Sequence, residues 1–238
     1  MQLNVALIRM VFPDRSASEL REVLKQARSR GADLAVLPEL PLNVWSPASK
    51  VFQDDESEPP AGPRHQAMSD AAREVGIALI GGAIIQDAKT GRCHNTALVF
   101  DRSGALIGSY RKLHLPEEEG FWETSHYDPG DEPPSVIHGL PLPVGIQTCS
   151  DVNRPEGSHL LGALGAEIIV CPRATEAATF SRWKTVLHSQ CHHELYVRDL
   201  GATPGTGIRG SAGWPIICCN PYRRGSSRGY RTDDLGDY

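Results

Sequence analysis

The chain has 238 residues, 40% hydrophobic and 22% charged, which is ordinary globular composition with enough length to bury a sizeable core in one large domain. A formal net charge of -5 lacks the basic excess that nucleic acid or an anionic membrane surface requires, so neither is expected as a partner. No apolar run reaches the roughly 18 to 20 residues that cross a bilayer, and MQLNVALIRMVFPDR lacks the basic start and cleavage site of a signal peptide, which makes the cytoplasm the expected location. The six cysteines, Cys93, Cys149, Cys171, Cys191, Cys218 and Cys219, are too sparse and irregular for a disulfide framework.

LNVALI (3 to 8) reads as a strand, and Leu20, Val23, Leu24 and Ala27 follow it at i, i+3, i+4, i+7, the spacing of an amphipathic helix. Ser16 and Glu19 fit a capping box at its start, and Gly31 stops it. DLAVLP (33 to 38) predicts a buried strand, RHQAMSDAAREVG (64 to 76) a helix, and IALIGGAII (77 to 85) and HNTALVF (94 to 100) two further strands. DRSG (101 to 104) supplies a hairpin turn into the extended segment ALIGSYRKLHL (105 to 115). PVGIQTC (143 to 149), a helix from about Pro155 to Leu164, AEIIVCP (166 to 172) and a helix from about Thr179 complete an α/β pattern of sheets covered by helices.

Two long segments, 41 to 63 and 116 to 134, interrupt the alternation, and both carry Trp (Trp45, Trp122) beside acids, as a substrate rim would. No Walker-type or G-x-G-x-x-G loop follows a strand, so nothing is offered to cradle a phosphate.

Three polar residues fall at predicted strand ends, where an α/β sheet places its ligand crevice: Glu39 in VLPEL, Lys112 in YRKLHLP and Cys149 in GIQTCSD. Each alone has a structural explanation, as a solvated acid, a snorkelling amine or a small buried hydrophobe. Together they make a nucleophile, a proton-transfer carboxylate and a cation for charge developing on oxygen, the set that hydrolysis of an unactivated C–N bond requires. The polar turn after Cys149 and a nearby Lys112 are expected to favour its thiolate. Cys171, inside EIIVCP, reads as core, and Cys93 as a strand-edge residue.

VLPEL, YRKLHLP, and TCSDVNRPE followed by GAEIIVCP resemble, in order and separation, the three catalytic blocks of the nitrilase superfamily of carbon-nitrogen hydrolases. HNTALVFDRSGALIGSYRK resembles the family's Asn-containing strand and Gly turn before its catalytic lysine, and Asp128-Pro129-Gly130-Asp131 resembles its PGD motif. The resemblance covers residues 1 to about 186. It implies an αββα sandwich, homodimers or higher homo-oligomers, no metal and no organic cofactor. It implies Glu39 as general base, Lys112 as stabiliser of the oxyanion, Cys149 as nucleophile, and Glu123 as a second glutamate positioning Lys112 and substrate. The implied substrate is a small amide or N-carbamoyl amine, with nitrile hydrolysis, or a catalytically inactive nitrilase-like protein or fragment, as alternatives.

After Val186 the sequence changes character and becomes rich in Gly, Arg and Ser, with little periodicity, so 1 to 186 is read as the hydrolase domain and 187 to 238 as a divergent tail. His188, Cys191, His192, His193 and Glu194 invite a metal-site reading, but Cys218 and Cys219 do not complete any usual zinc spacing, and no metal is expected. The tail reads better as a hypothesis of shifted frame, which would leave the C-terminal strands missing or distorted. The codons CTG CAT AGC CAA TGC CAT CAC GAG CTG TAC can encode Leu187 to Tyr196, and read from their second base they give C-I-A-N-A-I-T-S-C, a helix-compatible continuation. The same offset permits T-Y-V next and G-G-P-S over the region of Gly213 to Ile216, features that the resemblance implies and the printed frame lacks. Sequencing the coding DNA should show these segments open in the offset frame; stop codons there would end the hypothesis.

Overall fold

The computed structural model describes residues 3–12, 17–53, 56–174, 183, 185–187 and, for the backbone, 216–219. Its elements in chain order are β1 (Val5–Leu7), α1 (Ala17–Ser29), β2 (Leu34–Val36), β3 (Ser57–Glu58), α2 (Pro63–Val75), β4 (Ala78–Gln86), β5 (Cys93–Phe100), β6 (Leu106–Arg111), β7 (Glu117–Glu118), β8 (Phe121–Trp122), β9 (Val144–Ile146), α3 (Pro155–Ala163), β10 (Ile168–Cys171) and β11 (Ile216–Cys219). The predicted elements stand within a few residues of their expected bounds. Ser16, the expected cap of α1, and most of the helix from Thr179 lie outside the described residues.

One sheet runs β1-β2-β4-β5-β6, with β3 also on β4; a second runs β11-β10-β9. The period-two alternation of side chains decides what each face meets. Val5, Leu7, Leu34, Val36, Ala78, Ile80, Ala97 and Val99 share a core with Val144, Ile146, Ile168 and Val170, joining the two sheets face to face. The intervening residues Ala6, Ala35, Leu37, Leu79, Leu98 and Phe100 point the other way, onto Leu20 and Leu24 of α1 and Met68, Ala71 and Ala72 of α2. Ile169 and Cys171 turn outward from β10 onto Leu161, near α3's end, and Leu187. The layers are therefore helix, sheet, sheet, helix, and Cys171 is core as its sequence context implies.

The long interruptions hold more structure than their composition suggests. Within the first, Ser57–Glu58 joins the sheet beside β4, and Glu58 caps α2 by accepting the N–H groups of Arg64 and His65 at 2.8 Å each. Within the second, β7 and β8 form a small hairpin about Gly120, whose φ of 81° suits a residue without Cβ. After Val186 no regular strand is expected, yet Ile216–Cys219 pairs antiparallel with Ile168–Cys171. That run is short, apolar and half β-branched, which is enough to add an edge strand where β10 offers unpaired backbone groups. The His188, Cys191, His192, His193 and Glu194 group lies outside the described residues. Among the described residues no group of three or more His, Cys, Asp or Glu could hold a metal ion, and no helix is long and apolar enough to cross a membrane.

The DRSG turn depends on Gly104, which has φ of 79° and would place an added Cβ 2.4 Å from the Ser69 carbonyl oxygen. Gly91, in the preceding hairpin with φ of 70°, has open space around that position. Gly104→Ala should therefore cost about 2 to 3 kcal/mol and Gly91→Ala only about 1, read as shifts of the urea midpoint at unchanged slope.

Candidate active site

Glu39 follows β2 by three residues, Lys112 follows β6 directly, and Cys149 follows β9 by three, so one edge of the sandwich receives all three. Lys112 is fixed by its backbone: its N–H donates to Asn95 O at 2.9 Å, and its carbonyl accepts from Gly130 N at 2.8 Å. A Cβ on Gly130 would sit 2.6 Å from Arg111 O, which explains why the PGD segment needs glycine to lie against β6.

The Lys112 ammonium is wholly buried and donates to Glu39 Oε1 at 2.8 Å and to Glu123 Oε1 and Oε2 at 2.7 Å each. Two carboxylates facing one cation leave a surplus negative charge, and Glu39 is further supported by neutral donors. Asn95 Nδ2 donates to its Oε1 at 2.8 Å and Ala174 N–H to its Oε2 at 3.0 Å. Burial opposes the charge on Lys112, but Glu39 and Glu123 outweigh it and hold the ammonium pKa well above the ordinary lysine value. Burial, with the charge of Glu39 added, pushes the Glu123 carboxyl up to about 7 against the opposing pull of Lys112.

Cys149 occupies a sharp elbow, with φ of 47°, a left-handed conformation that a non-glycine residue adopts only where its surroundings impose it. Those surroundings are visible. Cys149 N–H donates to Pro172 O at 2.9 Å, and Asp151, in the same turn, accepts the Thr148 N–H at 3.0 Å. Asp151 also accepts from Tyr110 Oη at 2.9 Å and from the Leu113 and His114 N–H groups at 3.2 and 2.9 Å, so one buried carboxylate ties the nucleophile turn to the segment just past Lys112. Sγ of Cys149 donates to Ala174 O at 3.5 Å, while Ala174 N–H holds Glu39. A single peptide neighbourhood thus links thiol and carboxylate.

The surroundings of Cys149 work against the thiolate that the sequence leads one to expect. Burial first, then the charge of Glu39, pushes its thiol well above the ordinary value, although Lys112 and Arg173 pull the other way. The geometry agrees, because a carbonyl acceptor on Sγ favours S–H and the Cys149 N–H is spent on Pro172. What the arrangement can do is pass the thiol proton to a carboxylate as sulfur attacks, with a buried ammonium ready for negative charge on oxygen.

All four residues singled out in the sequence come together: Glu39, Lys112 and Glu123 in one hydrogen-bonded cluster, and Cys149 joined to it through Ala174. Glu123 stands on a short 3-10 turn, Glu123–Ser125, and not on the neighbouring exposed pair Glu117–Glu118. Asn95, Asp151 and Ala174 were given no role by sequence reasoning. Asp151 carries a local signal, the Thr148-x-x-Asp151 spacing of a capping box, and Asn95 lies in the Asn-containing strand that the resemblance marks, without a partner being named for it.

The helix-sheet-sheet-helix layers and the buried acid, lysine and cysteine cluster define a hydrolase-type site on an α/β sandwich. The chain belongs to the carbon-nitrogen hydrolase family, whose model matches residues 13–200. The omega-amidase NIT2 of Mus musculus is 32% identical over 203 residues, covering 82% of this chain and 70% of that protein. The omega-amidase NIT2 of Xenopus tropicalis is 32% identical over 183 residues, 74% of this chain and 64% of that protein, so the chain spans under two thirds of its length. The crystal structure of a carbon-nitrogen hydrolase from Helicobacter pylori G27 shares the fold, with a TM-score of 0.70 at 24% identity over 78% of this chain and 68% of that one.

The thiol state is directly measurable. Ultraviolet titration of the native protein should show no thiolate step assignable to Cys149, by difference from Cys149→Ser, at or below about pH 8.5, the ordinary cysteine value. A step well below that would mean that sulfur rests ionised.

Proposed function

We propose that this chain hydrolyses the C–N bond of a small amide, or of an N-carbamoyl amine, through a thioester on Cys149. The observation that carries the reading is the Lys112 ammonium enclosed by Glu39 and Glu123, with Ala174 joining Glu39 to the Cys149 thiol. In this reading Glu39 accepts the thiol proton as Sγ bonds to the carbonyl carbon, and the oxygen takes up negative charge facing Lys112. When the tetrahedral species collapses, the C–N bond breaks and Glu39 delivers its proton to the leaving nitrogen. Glu39 then takes a proton from water, whose oxygen attacks the thioester carbon; the acid leaves and Sγ regains its proton. Glu123 keeps the ammonium charged and aimed.

The reading is supported by the upward push on the Cys149 thiol, which calls for a base, and by the Glu39 carboxylate held beside it through Ala174. Relatives named as amidases favour amides over nitriles. We propose further that residues 1 to 186 carry the hydrolase chemistry, with Ile216–Cys219 adding only an edge strand to their sheet, that the chain pairs with itself, and that it works in the cytoplasm.

A panel of amides, N-carbamoyl amines and nitriles assayed for ammonia should show release from amides first. Cys149→Ala should abolish release with the fold intact, and Glu39→Gln and Lys112→Ala should each cost at least about 10²-fold without multiplying in combination. Ammonia release surviving Cys149→Ala would sink the mechanism.

A further inference from the structure

Glu123 opens a three-residue turn directly after the two-residue strand β8, and such a turn cannot by itself hold a carboxylate to the fraction of an ångström that its bonds to Lys112 need. The next residue supplies what is missing. His126 donates its backbone N–H to Glu123 O at 3.0 Å, and its ring is wholly buried with both nitrogens engaged. Nε2 lies 2.7 Å from Ser49 O and Nδ1 lies 2.9 Å from Glu56 Oε2.

A carbonyl oxygen can only accept, so Nε2 carries a hydrogen and donates. The contact between Nδ1 and Oε2 therefore contains one proton, either on an imidazolium facing a carboxylate or on a carboxyl facing a neutral ring, and the pair is electrically neutral in both forms. Glu56 is itself anchored, its Oε1 accepting from Gln53 N–H at 2.8 Å and its backbone carbonyl from Asn43 Nδ2 at 2.9 Å. The same two loops meet again nearer solvent, where Trp45 Nε1 donates to Gly120 O at 3.0 Å, Trp122 N–H donates to Pro47 O at 2.8 Å, and Lys50 Nζ lies 4.0 Å above the Trp122 ring. The outer contacts are partly exposed, whereas the His126 and Glu56 contact is buried directly behind Glu123.

We propose that His126 and Glu56 form a positioning pair that sets the Glu123 carboxylate against Lys112 and makes that setting depend on the conformation of the first long loop. The inference rests on the functional reading above for its kinetic consequence, and on the structure alone for its geometric one. Neither residue touches the reacting atoms, so each acts through Glu123.

The proton in the contact suggests the discriminating substitution. In Glu56→Gln the amide NH₂ can donate to a neutral Nδ1 while the amide oxygen still accepts from Gln53, so the latch survives; in Glu56→Ala it is lost, and in His126→Gln only the Ser49 bond can be kept. His126→Gln and Glu56→Ala should lower kcat by about 10²-fold with KM nearly unchanged, Glu56→Gln should keep most of wild-type kcat, and His126→Gln should add no further loss to Glu123→Gln. Equal damage from Glu56→Gln and Glu56→Ala, or multiplying losses with Glu123→Gln, would overturn the proposal. If wild type releases no ammonia from any substrate, the functional reading fails while the crystal structures of His126→Gln and Glu56→Gln still decide the pairing. Glu123 displaced from Lys112 in the first and held in the second supports it; both contacts retained in His126→Gln overturn it.

Discussion

The interaction on which the rest of this structure depends is the burial of the Lys112 ammonium between two carboxylates. Taking three charges out of water costs several kcal/mol for each, and the mutual attraction offsets that only when the geometry is good and the remaining lone pairs are satisfied. Much of the surrounding architecture answers that demand. Asn95 and Ala174 donate to Glu39, Gly130 lets the following loop lie against the Lys112 backbone, and a turn secured at His126 presents both oxygens of Glu123. Removing one member would leave a buried charge without its partner, which in such clusters costs about 3 to 5 kcal/mol, so this arrangement is stable only as a unit.

The same constraint shapes the nucleophile. Burial and the charge of Glu39 push the Cys149 thiol up, and Lys112, whose charge already faces Glu39 and Glu123, does not pull it back down. In the proposed mechanism, sulfur and carboxylate are therefore coupled: a thiol pushed up needs a neighbouring acceptor for its proton. Cys171 shows the contrast within the same sheet. Its thiol is also pushed up, to about 11, by burial first, but it packs with Leu161 in the core and donates to the Cys149 carbonyl at 4.0 Å. Both thiols are buried; what separates them is that Cys149 feels Glu39 and Lys112 most strongly, whereas Cys171 does not.

How much of this was legible in the sequence varies with the range of the physics. The two periodicities are local, so α1, α2 and the principal strands were readable, and even the faces of β1, β2 and β10 follow from alternate residues. The four site residues were legible because Glu39, Lys112 and Cys149 sit at strand ends and a family resemblance added Glu123. What could not be read was partnership across distance. Asn95 meets Glu39 over 56 positions and Ala174 meets Glu39 over 135; the resemblance marks an Asn-containing strand but not what its Asn meets, and nothing in the segment around Ala174 announces its contact. The state of the Cys149 thiol was misread for the same reason: the turn after it suggested free N–H groups, but Pro172 and Ala174, over twenty residues away, occupy the elbow's backbone and sulfur.

Loops resist sequence reading most, and here they matter most. Among its described residues the first long segment has a single two-residue strand before α2, so its conformation is set by scattered polar contacts and not by a repeating pattern. Asn43, Gln53 and Glu56 hold one another, and through His126 they reach the turn that presents Glu123. A rigid sandwich thus supplies Glu39, Lys112 and Cys149 from strand ends, while the fourth group is supplied by loops whose order is purchased with buried hydrogen bonds. Lys112 is held by the pairing of its backbone with Asn95, and Glu39 and Cys149, each three residues past a strand, are held through Pro172 and Ala174 just beyond β10. Glu123 instead stands on a turn that meets the first long loop through His126, so the site is assembled from strand ends on one side and from loop contacts on the other.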